Sequence, residues 1–176
     1  AGKFRQMSMD AATARSQGVS AAVDAAQSVR DLRMPATAPI AYDLEGYTSG
    51  NAGCSAAVQA FLAGWTTRLH QLGLRSGVYG SRSSTMTDVT NASLNASYPR
   101  PDMIWLATWN GVANTTFSTP PAGMWEGNRI NQFTHDVTRS YGGYPMTVDE
   151  NAVQNSLWDR TAPRLVAAQP PRATKR

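Results

Sequence analysis

Five short apolar segments recur along the chain at intervals that suit a sheet whose strands are joined by helices. They begin near residues 39, 75, 102, 129 and 146. The first three intervals, about 36, 27 and 27 residues long, leave room for a crossover helix between parallel strands. The last interval, about 17 residues, is too short for a full crossover and predicts a loop. The spacing therefore predicts an α/β fold with a parallel sheet.

The segments between these strands have the apolar periodicity of helices. Residues 10–32 are rich in alanine, and Gly18 interrupts their pattern. Their apolar stripe consists of Val19, Ala22, Val23, Ala26 and Val29. A second helix is predicted from Asn51, which is a suitable cap, to Gly73, which suits the C-terminal end. Its apolar stripe consists of Val58, Phe61, Leu62, Trp65, Leu69 and Leu72. A shorter polar helix is predicted near residues 84–94.

The strand segments change character where each one ends. Residues 39–45 and 103–109 are nearly continuous apolar runs, which is typical of strands covered on both faces. Polar or aromatic side chains gather at the carboxyl ends: Asp43, Glu45, Tyr79, Trp109, Asn110, Gln132, Asp149 and Asn151. A (β/α) barrel builds its site there from several strands, whereas an open sheet uses one switch point and typically a Gly-rich phosphate loop. Because neither G-x-G-x-x-G nor a Walker loop occurs, the TIM-barrel type is favoured.

The first strand ends in two carboxylates, Asp43 and Glu45, two residues apart. Side chains alternate along a strand, so both are predicted to point to the same side, with Cα atoms roughly 6–7 Å apart. A carboxylate pair at the end of a buried strand suits acid/base chemistry, and glycoside hydrolysis is the leading candidate. The alternative is a polar strand end with two solvated acids, because the D-x-E spacing is common.

Charge is unevenly distributed over the 176 residues. Five of the 16 basic side chains lie in residues 160–176, which also contain three prolines, so this stretch is predicted to be a flexible tail or linker. Residues 1–159 hold 11 basic and 12 acidic side chains and are predicted to form one partial-barrel domain. A near-neutral body does not support nucleic-acid binding, and no apolar run approaches the length of a membrane span.

Other chemistries have little support in the sequence. The single cysteine, Cys54, is either a free thiol near the start of a helix or the partner of a cysteine outside the chain. There are two histidines, of which His70 suits a helix surface and His135 follows a strand and is an option for the cleft. No H-E-x-x-H motif occurs, so neither a metal site nor a cofactor is predicted. The serines lack the G-x-S-x-G elbow of acyl transfer.

Several motifs, taken in order, resemble those of a bacterial protein family. They occupy residues 40–47 (IAYDLEGY), 61–65 (FLAGW), 75–81 (RSGVYGS), 104–111 (IWLATWNG), 129–133 (RINQF) and 148–151 (VDEN). On these motifs the chain resembles the glycoside-hydrolase-like TIM-barrel family, formerly a domain of unknown function. That family is similar to the family-25 muramidases, the Chalaropsis-type lysozymes, and is mostly secreted and associated with the cell wall.

The resemblance implies roles for the residues at the strand ends. Glu45 would be the general acid, Asp43 the carboxylate that stabilises charge or orients the substrate, and Asp149 a third catalytic carboxylate. Glu45 would then need a raised pKa while Asp43 stays ionised. The substrate-binding residues would be Tyr79, Trp109, Asn110, Gln132 and Asn151. The implied substrate is peptidoglycan or a related cell-wall polysaccharide, and the implied location is secreted or cell-wall associated.

The number of strands departs from the family pattern. A complete (β/α) barrel has eight strands and about 250 residues, and the resemblance equates the five strands predicted here with the fourth to eighth. Because an incomplete barrel exposes strand edges, we expect a missing N-terminal barrel segment or another chain to complete it. Two main hypotheses follow: a cell-wall glycosidase, or a non-catalytic carbohydrate-binding or assembly component that uses the same face. A purely structural half-barrel within a larger complex is a third.

Overall fold

The computed structural model describes residues 6–48 and 50–154. Within that part of the chain the strands are β1 (Ile40–Leu44), β2 (Ser76–Ser81), β3 (Met103–Ala107), β4 (Arg129–Tyr141) and β5 (Tyr144–Val153). The helices are α1 (Ala11–Asp31), α2 (Ala52–Gln71) and α3 (Thr87–Ser93), and a π-helical turn over Arg82–Met86 precedes α3. The predicted tail, residues 160–176, lies outside the described residues. No helix in the described ranges is long and apolar enough to cross a membrane.

The five strands form one curled half-barrel sheet in the order β1-β2-β3-β4-β5. Neighbouring strands from β1 to β4 are parallel, and a helix or a long loop connects each pair. This arrangement confirms the parallel α/β sheet predicted from the spacing of the first four strands. A curled sheet of five strands is also consistent with a partial barrel, while the TIM-barrel type stays a prediction.

The last strand runs in the opposite direction to the one predicted. β5 is antiparallel to β4, and the turn between them consists of two residues, Gly142 and Gly143, with φ of 59° and 87°. Positive φ at both central positions is the geometry of a tight type I′ hairpin, which glycine adopts without steric cost. The prediction of an all-parallel sheet with a loop before the last strand is therefore wrong, because most of that interval is strand.

The two faces of the sheet have different surroundings. On the outer face, Val78, Ile104 and Leu106 have no exposed surface and join the hydrophobic core. The positions between them point to the concave inner face, which no described helix covers. The prediction that residues 39–45 and 103–109 are covered on both faces is therefore wrong for the inner face near the carboxyl ends of the strands, whereas Met103 at the start of β3 is buried on that face. No residue of β1 is fully buried, because β1 forms one edge of an open half-barrel.

Helices α1 and α2 lie outside the sheet and cross closely at two glycines, one in each helix. A Cβ on Gly18 would lie 2.0 Å from the carbonyl oxygen of Phe61, and a Cβ on Gly64 would lie 2.2 Å from that of Arg15. The two backbones are therefore in direct contact. The buried face of α1 is accordingly a stripe of small residues: Ala14, Gly18, Ala22, Ala26 and Val29. The predicted stripe is shifted from this one, since Val23 is 39% exposed.

Helix α2 joins this layer to the sheet. Its N-cap is Asn51, as predicted, and five of its six predicted apolar positions are buried: Val58, Phe61, Leu62, Trp65 and Leu69. Tyr42 of β1 packs against the rings of Phe61 and Trp65, with centroid distances of 4.6 and 5.3 Å. The indole nitrogen of Trp65 donates a hydrogen bond to the carbonyl oxygen of Gly77 at 3.2 Å. These contacts fix β1 and β2 from the outside and leave their inner face free.

Candidate active site

The inner face of the half-barrel holds a concave pocket of about 450 Å³. Six residues predicted from the strand ends line it: Asp43, Glu45, Tyr79, Gln132, Asp149 and Asn151. Ala41 and Trp105 complete the lining. Because the lining residues lie on or directly after all five strands, the pocket extends across the whole width of the sheet.

Asp43 and Glu45 enter the pocket from the edge strand β1. Asp43 lies opposite Tyr79 in the parallel register, and Glu45 directly follows the strand. Both line the pocket, which confirms that their spacing places them on one face. Both are exposed, and no donor among the described residues forms a hydrogen bond with either carboxylate. Their oxygens are therefore open to solvent and to a ligand in the pocket.

Gln132 of β4, which is 6% exposed, connects three other predicted site residues. Its Oε1 accepts hydrogen bonds from the Tyr79 hydroxyl at 2.7 Å and from Trp109 Nε1 at 2.9 Å. Its Nε2 donates to Asp149 Oδ2 at 2.8 Å. Since two donors share the amide oxygen, the amide nitrogen faces the carboxylate. Gln132 thus orients the aromatic side chains of Tyr79 and Trp109 together with the carboxylate of Asp149.

Asp149 reaches the pocket from within β5, and not from the end of a parallel strand as predicted. The hairpin register pairs Gln132 with Asn151, which places Asp149 and Asn151 beside β4 on the inner face. The second carboxylate oxygen of Asp149, Oδ1, accepts the backbone N–H of Asp136 at 3.0 Å. Asp136 has φ of 52° at an irregularity in the β4–β5 ladder. The protein therefore orients Asp149 through both oxygens, unlike the carboxylate pair on β1.

Trp105 lines the pocket, whereas Trp109, a predicted site residue, does not line it and lies next to it through its hydrogen bond to Gln132. Trp105 Nε1 donates to Asn151 Oδ1 at 2.8 Å, and its ring meets Tyr79 edge to face at a centroid distance of 5.2 Å. Trp109 is 55% exposed, has φ of 48°, and packs on the His135 ring at 4.5 Å. Aromatic faces beside hydrogen-bonding groups suit a ligand with both apolar and polar surfaces, such as a sugar ring.

The structure changes the predicted site at three positions. Trp105 was predicted only as an apolar strand residue, although alternation from Ala107 and pairing with Tyr79 place it on the inner face. His135, an option for the cleft, does not line the pocket and packs on the ring of Trp109. Asn110 does not line the pocket, because its Oδ1 accepts the backbone N–H of Val112 at 2.9 Å and shapes the loop after β3.

The charges of the pocket act together on Tyr79. Burial raises the pKa of the Tyr79 hydroxyl, and the negative charges of Asp43, Glu45 and Asp149 raise it further. The hydroxyl therefore keeps its proton and remains a donor to Gln132 at neutral pH. Within the described ranges, no group of three His, Cys, Asp or Glu side chains is arranged to hold a metal ion. The set of carboxylates can exchange protons with a ligand and stabilise positive charge.

Comparison with known proteins places the chain in a family. The chain has no significant match among curated proteins or among solved structures. The model of the family described as Rv2525c-like, glycoside hydrolase-like domain matches residues 3–153, a range that includes every residue of the pocket. This match indicates a carbohydrate-related function, while the similarity to family-25 muramidases stays a prediction. The chain therefore belongs to the Rv2525c-like family of glycoside hydrolase-like domains.

Proposed function

We propose that the concave pocket binds a chain of sugar residues and hydrolyses a glycosidic bond within it. The proposed substrate is peptidoglycan or a related cell-wall polysaccharide, and the corresponding location is secreted or cell-wall associated. One observation carries the proposal: Asp43 and Glu45, whose carboxylates have no hydrogen-bond partner among the described residues, share an open concave face with the aromatic rings of Tyr79 and Trp105. Membership of a glycoside-hydrolase-like family supports carbohydrate as the ligand class.

The carboxylates have different surroundings, which suits different roles in glycoside hydrolysis. Glu45 is the proposed general acid, as the family resemblance implies, and no described residue forms a hydrogen bond that would prevent its carboxyl group from donating a proton to the leaving oxygen. Asp43, opposite Tyr79, is the proposed orienting carboxylate, whose charge stabilises an oxocarbenium-like transition state. Asp149 is oriented by Gln132 and has remaining lone pairs that accept a hydrogen bond from a sugar hydroxyl.

The proposal includes a strand that completes the wall beside β1. The N–H of Ile40 donates to the Arg75 carbonyl oxygen next to β2, so by alternation the peptide groups of Ala41 and Asp43 point away from the sheet. Such an edge is a template for strand addition. A further barrel segment or another chain would supply the strand. Closure over Glu45 would exclude water, and burial favours the protonated form of a carboxyl group, as a general acid requires.

A non-catalytic carbohydrate-binding or assembly role is the second candidate. It is favoured by the contrast between Glu45 and Asp149, because no described residue orients the Glu45 carboxylate, whereas two hydrogen bonds orient Asp149. Aromatic and polar groups that are held in place can bind a sugar chain, while hydrolysis also requires an acid in a defined position. The same pocket therefore suits binding without cleavage.

Release of reducing sugar from purified cell walls tests both candidates in the full-length protein. Glu45→Gln keeps the size of the side chain and removes its proton transfer, so we expect release to fall by about 10²–10⁴-fold. Glu126→Gln is the matched control, because Glu126 lies outside the pocket and an amide oxygen still accepts the hydrogen bond from Gln154. Equal release by the wild type and Glu45→Gln would overturn Glu45 as the general acid, and no release by the wild type would overturn the hydrolase proposal. Wall binding by the wild type without release would support the second candidate.

A further inference from the structure

The segment that carries Glu45 forms hydrogen bonds on both sides of that residue with the π-helical turn and with α3, which directly follows the turn. The carbonyl oxygen of Leu44, the residue before Glu45, accepts a hydrogen bond from Thr85 Oγ1 at 3.3 Å. The hydroxyl of Tyr47, two residues after Glu45, donates to Asp88 Oδ2 at 2.5 Å. Thr85 belongs to the π-helical turn and Asp88 to the start of α3. Two contacts from adjoining turns therefore bracket the proposed acid.

This bracketing element is itself fixed to the sheet. Thr85 has no exposed surface, and a Cβ on Gly80 of β2 would lie 2.4 Å from its hydroxyl oxygen. Thr85 therefore packs directly on the backbone of Gly80 in β2. Any larger residue at position 80 would displace Thr85. The hydroxyl groups of Ser81 and Ser84 are 2.6 Å apart and close the start of the turn. Local π-helical geometry is frequent at functional sites.

Asp88 is placed to accept a strong hydrogen bond. It is 7% exposed, and its backbone carbonyl accepts a further hydrogen bond from Gln59 Nε2 of α2 at 3.4 Å. A buried carboxylate is costly unless a donor satisfies it, and the Tyr47 hydroxyl supplies that donor. Burial raises the pKa of Tyr47 far above its usual range, and the hydrogen bond to Asp88 raises it further. The hydroxyl therefore stays protonated and remains a donor at physiological pH.

We propose that Thr85 and Asp88 are positioning residues that fix where the carboxyl group of Glu45 enters the pocket. With Tyr47 they form a clamp on residues 44–47. Leu44 and Tyr47 pack against the hydrophobic core, whereas Glu45 and Gly46 between them are exposed and a Cβ on Gly46 would have no neighbour within 4 Å. Catalysis requires its acid to be held in one position. The catalytic value of the clamp rests on the proposed function of Glu45, whereas its hold on the loop does not.

Cys54 offers a measure of the clamp that does not depend on activity. It is the single cysteine of the chain, is half-buried near the start of α2, and contributes electrostatically to the raised pKa of Tyr47. Tyr47→Phe removes one oxygen atom and opens the loop, so we expect a neutral thiol reagent to modify Cys54 about tenfold faster. Tyr98→Phe is the matched control, because the Tyr98 hydroxyl donates to the Gln59 carbonyl oxygen and not to the loop.

Substitution of Asp88 and the kinetics of sugar release complete the test. Asp88→Ala should also speed Cys54 modification, and Asp88→Asn should restore the wild-type rate, because an amide oxygen accepts the Tyr47 hydroxyl. For sugar release, Tyr47→Phe should lower kcat about tenfold and leave KM within about twofold, because the pocket walls are unchanged.

Each outcome bears on a separate part of this proposal. Equal Cys54 modification rates in Tyr47→Phe and Tyr98→Phe would overturn the clamp, whatever the activity. Faster modification together with an unchanged kcat would overturn the positioning role while the proposed function stands. Faster modification with no sugar release from any variant or from the wild type would support the clamp as a loop anchor and overturn the hydrolase assignment.

Discussion

The outer and inner faces of the sheet are built from alternate residues of the same strands, yet their environments are opposite. On the outer face, Val78, Ile104 and Leu106 have no exposed surface. On the inner face, Asp43 and Glu45 are exposed, and neither carboxylate has a hydrogen bond to a described residue. Because side chains alternate along each strand, the residues that stabilise the fold lie on one face and the residues that can contact a ligand lie on the other. Substitutions on the two faces should act on different measurements.

The largest loss of stability is expected when a buried side chain of the outer face is truncated. Leu106→Ala removes a fully buried side chain and leaves a cavity, so we expect the free energy of unfolding to fall by about 2–5 kcal/mol. Asp43→Asn, on the inner face, should change it by less than about 0.5 kcal/mol, because the exposed side chain has no hydrogen bond to any described residue. Urea denaturation measures the free energy of unfolding of both variants. Comparable losses of stability in the two variants would contradict the proposed difference between the faces.

The helix crossing behind the outer face should be the next most sensitive position. A Cβ at Gly64 would meet the Arg15 carbonyl oxygen, so Gly64→Ala should cost about 1–3 kcal/mol by forcing α1 away from α2. Gly53→Ala, in the same helix, would meet only the ends of the Met9 and Asn51 side chains. It should change the free energy of unfolding by less than about 1 kcal/mol, because the gain in helix propensity offsets the close contact with the N-cap oxygen of Asn51. Thermal unfolding compares the two variants. Equal melting temperatures would contradict the close backbone contact between α1 and α2 at Gly64.

On the inner face, the hydrogen-bonded network around Gln132 should also contribute to stability. Gln132→Glu places a second carboxylate where the amide nitrogen now donates to Asp149, so we expect a loss of about 1–3 kcal/mol at pH 7. The neighbouring charge raises the native pKa of the new carboxyl group above its unfolded value of about 4.3. The loss therefore vanishes below that value and grows as pH rises through the native pKa.

Urea denaturation at pH 4 and pH 7 tests the Gln132→Glu prediction. Gln71→Glu serves as the control, because it lies at the exposed end of α2 beside Arg68, where a negative charge is tolerated. A loss for Gln132→Glu that does not depend on pH would show that Asp149 is not its electrostatic partner.

The smallest expected effect is a change in the pKa of Tyr79. Because Asp43 is among the charges that raise it, Asp43→Asn should shift the pKa of Tyr79 downward. Asp24→Asn, on the exposed surface of α1, should leave it unchanged. An NMR titration of Cζ-labelled tyrosine follows the hydroxyl directly. Equal pKa values of Tyr79 in both variants would mean that the carboxylates do not converge on the pocket.

Local patterns were enough to predict most of the helices and strands. The helix-period stripe of α2 and the Asn51 cap are short-range signals, and the structure confirms both. The α1 stripe was misplaced because hydropathy ranks Val23 above Gly18, whereas a close helix crossing selects the smaller residue. The direction of β5 was missed because the Gly142–Gly143 turn lies inside a polar stretch with no clear apolar run on either side.

The candidate site was predictable where it follows strand alternation. The spacing of Asp43 and Glu45 alone places both on one face, and the structure confirms their shared pocket. The links made by Gln132 were not predictable, because they depend on the curl of the sheet and on the hairpin register that brings Asp149 beside β4. The contact between Tyr47 and Asp88 joins residues 41 positions apart and leaves no local signal in the sequence.

An NMR titration of the tryptophan indole N–H signals with a soluble peptidoglycan fragment tests the assignment of the inner face most directly. Trp105 and Trp109 donate to Asn151 and Gln132 on the inner face, so we expect both signals to shift with ligand concentration. Trp65 and Trp125 are buried internal controls, because their indole nitrogens donate to backbone carbonyl oxygens. Shifts confined to Trp65 and Trp125, or no shift at a saturating concentration of the fragment, would contradict a glycan site on the inner face.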